Sequence, residues 1–255
     1  MRTVVVRTGR QPEADFDQVV RPARTGGKLI IKGGVTVLDM GTGMSGLRID
    51  DGVTIGGNVS FDNSANVVGA DNVQIYSNSN AYGTTSIAGT LTLALSQAVY
   101  QSDLVLIQGF GTPLTVTGAV IINSGAGADS IELANDWFKS TVAVNTGTSP
   151  SFRRDVVSID GSRFNGATTV SEIGPNAELD LGTNAQFAST YFNSTFTALV
   201  TGASTKVFLS NATSAVNEVV FNSTAKFTGG APFATLVIQG KFFAGTGKFT
   251  KTNFN

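Results

Sequence analysis

The chain has 255 residues, of which 41% are hydrophobic and 14% are charged, and its formal net charge is −1. A nearly neutral chain has no long-range attraction for nucleic acid or for an anionic membrane. It contains neither Cys nor His, which excludes disulfides, thiolate metal sites and Ser-His-Asp or Cys-His catalysis. No stretch is apolar and long enough to span a bilayer, so we expect no insertion into a membrane as a helix.

Residues 1–27 differ in composition from the rest of the chain. They contain charges of both signs and two of the six prolines, Pro12 and Pro22, and they end in Thr25-Gly26-Gly27. We predict that residues 1–27 form an N-terminal cap or linker and that residues 28–255 form one domain. The segment from Met1 to Arg7 lacks the apolar run of a signal peptide, so we expect none in this chain.

From Lys28 onward, apolar residues stand two apart in short segments that Gly, Asp and Asn separate. The first such pairs are Leu29/Ile31, Val35/Val37, Leu47/Ile49, Val53/Ile55 and Val59/Phe61. Period two is the pattern of a strand with one buried and one solvated face. The pattern continues to the C-terminus, where it becomes richer in Phe, and it predicts an all-β chain of many short strands.

One segment recurs along the chain, Asp129-Ser130-Ile131-Glu132-Leu133. Weaker copies begin at Asp51, Asp71, Asp103 and Asp155. Apolar pairs without the Asp occupy the same place at Val35, Leu179, Val207 and Leu236. A loose repeat of roughly 20–30 residues is typical of a solenoid. We predict a single-stranded parallel β-helix (β-solenoid) of about nine coils, right-handed as parallel crossovers usually are, with one or two β-sandwiches as the alternative.

The recurring aspartates are interpreted first as structural residues. Each lies two positions before an inward apolar residue, at the corner where a strand begins, and there a carboxylate can accept turn N–H groups. Stacked aspartates would repel one another, and Arg153 and Arg154 could relieve this at the copy with Asp155. Phe138 and Phe164 follow their motifs at the same offset, which predicts stacking between coils in the core.

The segment from Ser124 to Glu132 resembles the glycine-rich nonapeptide that binds Ca²⁺ in RTX β-rolls, with Ser124 in place of its first Gly. The resemblance implies calcium. The equivalent stretch before Asp155 contains Arg153 and Arg154, which oppose a cation there. We therefore assign no metal ligand and no cofactor from the sequence, and calcium is the one cofactor left open.

Carbohydrate chemistry is a second hypothesis, because many polysaccharide lyases and hydrolases are parallel β-helices with paired carboxylates in an outer groove. The candidates are Asp155 and Asp160 near Arg153, Arg154 and Arg163. Period two places Val157 and Ile159 inward, so we expect Asp160 to face out and Asp155 not to. We assign no catalytic residue.

Two further features concern binding. The lone Trp137, with Asp136 and Lys139 beside it, is a candidate platform for stacking a sugar, or else a half-buried anchor beside Phe138. Thr-x-Thr segments at Thr90, Thr115 and Thr250 would suit a flat binding face, but they do not fall at one repeated position. Nucleic-acid binding is rejected, because a basic stripe is missing.

The pieces Gly-x-Gly-x-Asp-x-Ile-x-Leu at residues 125–133 and Ile-Asp-Gly-Ser-x-Phe-x-Gly at residues 159–166 resemble the degenerate β-helix repeats of large bacterial surface and adhesin-like proteins. As a pattern, the resemblance covers residues 28–240. It implies a secreted or cell-surface protein that acts as a rigid scaffold or binding surface, with surface glycans or other proteins as partners. A polysaccharide-active enzyme and a phage fibre or spike segment are the alternatives.

Overall fold

The computed structural model describes residues 4–8, 18–22, 28–39, 43–78, 83–150, 152–172, 174–184, 186–210, 218–230, 234–239, 242–244 and 247–254. Within these residues the chain forms 28 strands, which make up three sheets. Every pairing between strands is parallel. Successive strands go to the first, second and third sheet in turn, so three strands make one coil.

The strands fall into three sets, one for each sheet. The first sheet contains β1 (Val4–Thr8), β4 (Val35–Asp39), β7 (Val59–Asp62), β10 (Leu91–Ala94), β13 (Val120–Gly125), β16 (Val142–Thr146), β19 (Thr168–Glu172), β22 (Phe196–Val200), β25 (Ala225–Gly229) and β28 (Phe249–Thr252). The second sheet contains β2 (Gln18–Val20), β5 (Ser45–Ile49), β8 (Asp71–Asn78), β11 (Leu104–Phe110), β14 (Ser130–Ala134), β17 (Val156–Asp160), β20 (Glu178–Leu181), β23 (Lys206–Leu209) and β26 (Thr235–Ile238). The third sheet contains β3 (Leu29–Ile31), β6 (Val53–Ile55), β9 (Ser86–Ile87), β12 (Leu114–Val116), β15 (Asp136–Phe138), β18 (Arg163–Phe164), β21 (Thr190–Phe192), β24 (Val219–Phe221) and β27 (Phe242–Ala244).

The fold predicted from the repeat is confirmed: the chain is a parallel β-solenoid. Nine strands stand in each of the second and third sheets within the described residues, in agreement with about nine coils. A β-sandwich would consist of antiparallel strands, whereas the strands described here pair only in parallel within their three sheets. The right-handed sense stays a prediction.

The register predicted for the first copies of the repeat, at Val35/Val37 and Val53/Ile55, was wrong. Val35/Val37 lies on the first sheet and Val53/Ile55 on the third, whereas the later copies all lie on the second sheet. The true predecessor of Val73/Ile75 is Leu47/Ile49, which pairs with it directly. Because every strand of a coil carries the same inward apolar pair, apolar spacing alone cannot tell the three sheets apart.

The N-terminal region contributes to the stack. Strand β1 pairs with β4, and β2 pairs with β5, so the first coil begins within residues 1–27 rather than at Lys28. Residues 1–3, 9–17 and 23–27 lie outside the described residues. A capping role for the whole of residues 1–27 stays a prediction.

The core is a single apolar column enclosed by the three sheets. Inward residues alternate with outward ones along each strand, and Ile131, Leu133, Val157 and Ile159 are all buried. The predicted stacking of Phe138 on Phe164 is confirmed. Their ring centroids lie 5.0 Å apart, and the stack continues through Phe192 and Phe221 with further separations of 4.8 and 5.1 Å.

The corner between the third and first sheets keeps one length from β3 to β25. It spans three residues in successive coils, at residues 32–34, 56–58, 88–90, 117–119, 139–141, 165–167, 193–195 and 222–224. The side-chain amides of Asn165, Asn193 and Asn222 are hydrogen-bonded to one another along it, at 2.8 and 2.7 Å. Gly89 lies so close to Gly57 that a Cβ there would come within 2.5 Å of the Gly57 carbonyl carbon. The other two corners vary in length and carry the loops of the molecule.

We expect Phe164→Ala to destabilise the solenoid by about 3–5 kcal/mol, because it leaves a cavity between two stacked rings. Chemical denaturation followed by circular dichroism measures this. Phe152→Ala is the matched control, because Phe152 is 72% exposed and its loss should cost less than about 0.5 kcal/mol. Equal losses for the two variants would contradict a stacked core.

Candidate functional site

The recurring aspartates form an internal ladder at the corner between the first and second sheets. The carboxylate of Asp103 accepts the backbone N–H of Asp71 at 2.7 Å. Asp129 accepts that of Asp103, and Asp155 that of Asp129, each at 3.1 Å. These four residues, which we call the aspartate ladder, are at most 2% exposed. The predicted role as corner residues that accept N–H groups is thus confirmed for Asp103, Asp129 and Asp155, but these N–H groups come from the preceding coil rather than from an Asx-turn. Asp51 is not a member, because Ser45 is the residue in register with Asp71.

Side-chain hydroxyls rather than arginines support the ladder. Ser124 donates to Asp129 at 2.6 Å, and Ser96 donates to Asp103 at 3.1 Å. The relief expected from Arg153 and Arg154 was wrong: Arg154 pairs with Glu178, and Arg153 donates to Ser102. A hydroxyl can be buried beside a carboxylate at a small desolvation cost, whereas burying a guanidinium carries the large desolvation cost of a charged group.

Burial and mutual repulsion act on the ladder together. Burial raises the pKa of Asp103 to about 8, and the charges of Asp71 and Asp129 add to the rise. Burial also raises the pKa of Asp129 to about 6, while the hydrogen bond from Ser124 limits the rise. Both groups therefore favour the protonated form in the folded protein more than in an unfolded chain.

The backbone conformation explains why glycines occupy their positions in the calcium-like nonapeptide. Gly125 and Gly127 have φ of 87° and 137°, which L side chains rarely adopt. A Cβ on Gly125 would also collide with the carbonyl oxygen of Ser96. Together with the bond from Ser124 to Asp129, this geometry accounts for Ser124–Asp129 as a tight corner. Among the described residues no group of three or more acidic side chains gathers in a form that could hold a metal ion.

The residues proposed for carbohydrate chemistry do not converge. Asp155 immediately precedes β17 and Asp160 ends it, so five residue steps of extended chain separate them by about 16 Å. The carboxyl groups of glycosidases lie about 5–9.5 Å apart. Arg163 lies on the third sheet, away from Arg153 and Arg154.

The expectation that Asp160 faces solvent was wrong, because it is only 1% exposed. Its carboxylate accepts the backbone N–H of Asn184 at 2.9 Å and the hydroxyl of Ser158 at 2.7 Å. The loop that follows β20 covers Asp160. The alternation of inward and outward residues along β17 could not predict this, because the loop belongs to the next coil. Asp160 therefore fastens this loop.

An outward row of large side chains crosses the third sheet. Trp137, Arg163 and Tyr191 are in register on β15, β18 and β21, one coil apart. The guanidinium carbon of Arg163 lies 5.3 Å from the ring centroid of Tyr191, and the ammonium of Lys139 lies 4.7 Å from that of Trp137. We call Trp137, Arg163 and Tyr191 the aromatic–basic row.

The row lines a groove of about 310 Å³, with Pro113 at one side and Ala188 and Ser189 at the other. The wall at Ala188 belongs to the loop that Asp160 holds, so a buried carboxylate positions the groove. Trp137 itself is 38% exposed, which agrees both with a stacking platform and with a half-buried anchor beside Phe138.

Asp136, expected beside Trp137, points into the core and is 2% exposed. Burial raises its pKa well above the usual value. Asp136 therefore contributes no exposed charge to the groove.

The guanidinium of Arg163 differs from that of Arg48, which lies in a second groove beside Tyr76. Arg48 is paired with Asp50 at 2.5 Å, whereas within the described ranges Arg163 and Lys139 have no carboxylate partner. Sequence reasoning singled out Trp137 and Lys139 but missed Tyr191 and the pairing of Arg163 with it. The signal was present in the sequence, because Trp137, Arg163 and Tyr191 follow one another at the spacing of one coil.

The Thr-x-Thr segments lie on different faces. Thr92 and Thr250 are on the outer face of the first sheet, in one column that Ile121, Ala143 and Lys226 interrupt. Thr115 is on the third sheet, in line with Trp137. The segments therefore form no continuous threonine row among the described strands.

The fold and the groove define a parallel β-solenoid with an aromatic–basic row on its third sheet. Comparison with family models, curated proteins and solved structures finds no match to the chain. In the part of the chain that the structure describes, no helix is long and apolar enough to cross a membrane.

The ladder makes stability depend on pH. An Asp with a raised folded pKa binds its proton in the folded state but not in the unfolded state between about pH 4 and its folded pKa. Stability therefore falls as pH rises through this range and levels off above about pH 8 for Asp103. We expect a lower melting temperature at pH 9 than at pH 5, by several degrees at roughly 2–4 °C per kcal/mol.

Asp103→Asn should reduce this drop, because the amide keeps an acceptor oxygen and cannot ionise. Asp62→Asn, on the outer face of the first sheet, is the control and should leave the drop unchanged. Thermal melts across pH 5–9 provide the measurement. An undiminished drop in Asp103→Asn would show that Asp103 does not carry the effect.

Proposed function

We propose that this protein is a rigid β-solenoid of a bacterial cell-surface or secreted protein, without enzymatic activity, and that its third sheet binds glycans. The observation that carries the proposal is the aromatic–basic row: two aromatic side chains two coils apart with a guanidinium between them, in one groove. The scaffold part of the proposal is supported by the continuous hydrogen bonding between coils, which lets each coil support the next.

The chemistry of the row suits a saccharide. The apolar C–H faces of sugar rings stack on Trp and Tyr, whose flat rings lose little entropy on binding. Two coil steps separate Trp137 from Tyr191, about 10 Å at the usual spacing of strands, which is long enough for a disaccharide. The polar hydroxyls of the sugar would meet Ser189 at the rim.

The charge of the row favours an acidic saccharide. Arg163 offers a planar fork of donors that matches a carboxylate or a sulfate, and no side-chain carboxylate of the described residues occupies it. Lys139 adds a second positive charge next to Trp137. An acidic sugar would thus gain both a stacking contact and a charge-assisted hydrogen bond.

The enzyme alternative receives less support from the geometry. The carboxylates that it would use, Asp155 and Asp160, are buried at 0% and 1% exposure and hold backbone N–H groups. A phage fibre or spike segment remains compatible with a rigid solenoid. It would share the scaffold role and differ in the source of the protein.

We expect the protein to bind acidic glycans on an array and Trp137→Ala to weaken that binding by at least about tenfold, since aromatic residues at the centre of an interface contribute about 2 kcal/mol or more. Arg163→Gln should lower the preference for acidic over neutral glycans. Tyr100→Ala is the control, because Tyr100 is 69% exposed and lies outside the groove. Absence of binding to every glycan, or an equal loss in Tyr100→Ala, would contradict the proposal.

Incubation with the same glycans should release neither new reducing ends nor unsaturated products. Reducing-sugar and ultraviolet absorbance assays measure this. Product formation that Asp160→Asn abolishes, with the melting temperature unchanged, would instead favour the enzyme.

A further inference from the structure

A closed polar cluster lies inside the corner between the first and second sheets and includes the last member of the aspartate ladder. It consists of Thr146, Ser149, Asp155 and Glu172, and we call it the corner cluster. Thr146, Asp155 and Glu172 are 0% exposed and Ser149 is 7% exposed. Two carboxyl groups and two hydroxyls thus share one space that is shielded from water.

The strands bring these side chains together. Thr146 and Glu172 are register partners at the ends of β16 and β19, and both lie on the inward side of their strands. The hydroxyls of Ser149 and Thr146 are near enough to Asp155 to oppose the rise of its pKa that burial causes. Burial raises the pKa of Glu172 well above its usual value, and the charge of Asp155 is the next cause. Glu172 is therefore close enough to Asp155 for the two carboxyl groups to interact.

The carboxyl oxygens of Glu172 are not used by the fold. The hydroxyls of Ser149 and Thr146 act on Asp155, whereas among the described residues both carboxyl oxygens of Glu172 have no hydrogen-bond partner. One coil earlier, both oxygens of Asp129 accept hydrogen bonds. Carboxylates buried without partners carry a large desolvation cost, so something must compensate for them.

Only a glycine fits beside the corner cluster at position 174. A Cβ on Gly174 would come within 2.6 Å of Asp155 Oδ2 and would also collide with the hydroxyl of Ser149. The backbone of Gly174 therefore packs directly against Asp155 and Ser149.

We propose that the corner cluster binds a hard divalent cation of the calcium type. Two carboxylates balance its charge, and the two hydroxyls add oxygen ligands of the kind that calcium prefers. The site is separate from the nonapeptide Ser124–Glu132, whose Ser124 and Asp129 are already bonded to each other.

The test uses the full chain, prepared once with calcium and once with a chelator and then freed of unbound metal by gel filtration. Elemental analysis should find one calcium per chain in the first preparation, and its melting temperature should exceed that of the second. Glu172→Gln removes one ligand charge and should lose the bound calcium and the effect of the chelator on melting. Glu132→Gln, the same change on the outer face of β14, should keep both.

Ser149→Ala provides a second variant if Glu172→Gln fails to fold, and it should need a higher calcium concentration for the same stabilisation. The proposal is overturned if the wild type holds no calcium and melts identically with and without chelator. Glu172 and Asp155 would then be compensated by protons, and Glu172→Gln would melt at or above the wild type. Equal loss of calcium in Glu132→Gln would also overturn it.

Discussion

The structure depends on one constraint: each coil must present its backbone N–H and C=O groups to the next coil in fixed parallel register. Register places the same position of successive coils one above the other, so side chains stack on their equivalents. For apolar side chains this is favourable, as in the column of Phe138, Phe164, Phe192 and Phe221. For charged side chains stacking is unfavourable, because like charges repel one another. The fold has to offset this repulsion wherever charged residues stack.

The aspartate ladder is one such answer. Stacked carboxylates inside a protein would repel one another, yet Asp103, Asp129 and Asp155 each take a backbone N–H from the preceding coil, and hydroxyls add further donors. Protonation of Asp103 relieves the remaining repulsion, and the raised pKa of Asp103 reflects this. The ladder thus fixes the register of the corner while making stability sensitive to pH. At the far end of the ladder, Asp155 lies beside the hydroxyls of Ser149 and Thr146 and also beside the carboxyl group of Glu172, so repulsion between two carboxyl groups arises again there.

The same register acts on the outer face of the third sheet. Trp137, Arg163 and Tyr191 come from three coils, and only stacking brings them into one row. Their groove also needs a wall, which comes from a loop between the second and third sheets that Asp160 fastens from below. A residue considered for catalysis therefore has a structural part in the binding surface that we propose.

The sequence by itself determined the fold class, the inward pairs and the phenylalanine stack, because period two and the recurrence of coils follow directly from local residue order. It also indicated the corner role of Asp103, Asp129 and Asp155. Only the tertiary structure decided which sheet each pair joins, since Val35, Leu47 and Val53 carry the same local pattern and differ only in their partners.

The tertiary structure alone placed Asp160 under a loop of the next coil and Glu172 beside Asp155. Both contacts join residues of neighbouring coils, so they depend on how long each coil is. The coils of the second sheet are unequal: the step from β8 to β11 is longer than the step from β17 to β20. The difference lies in the loops at the corners, whose lengths no local pattern of apolar and polar residues specifies.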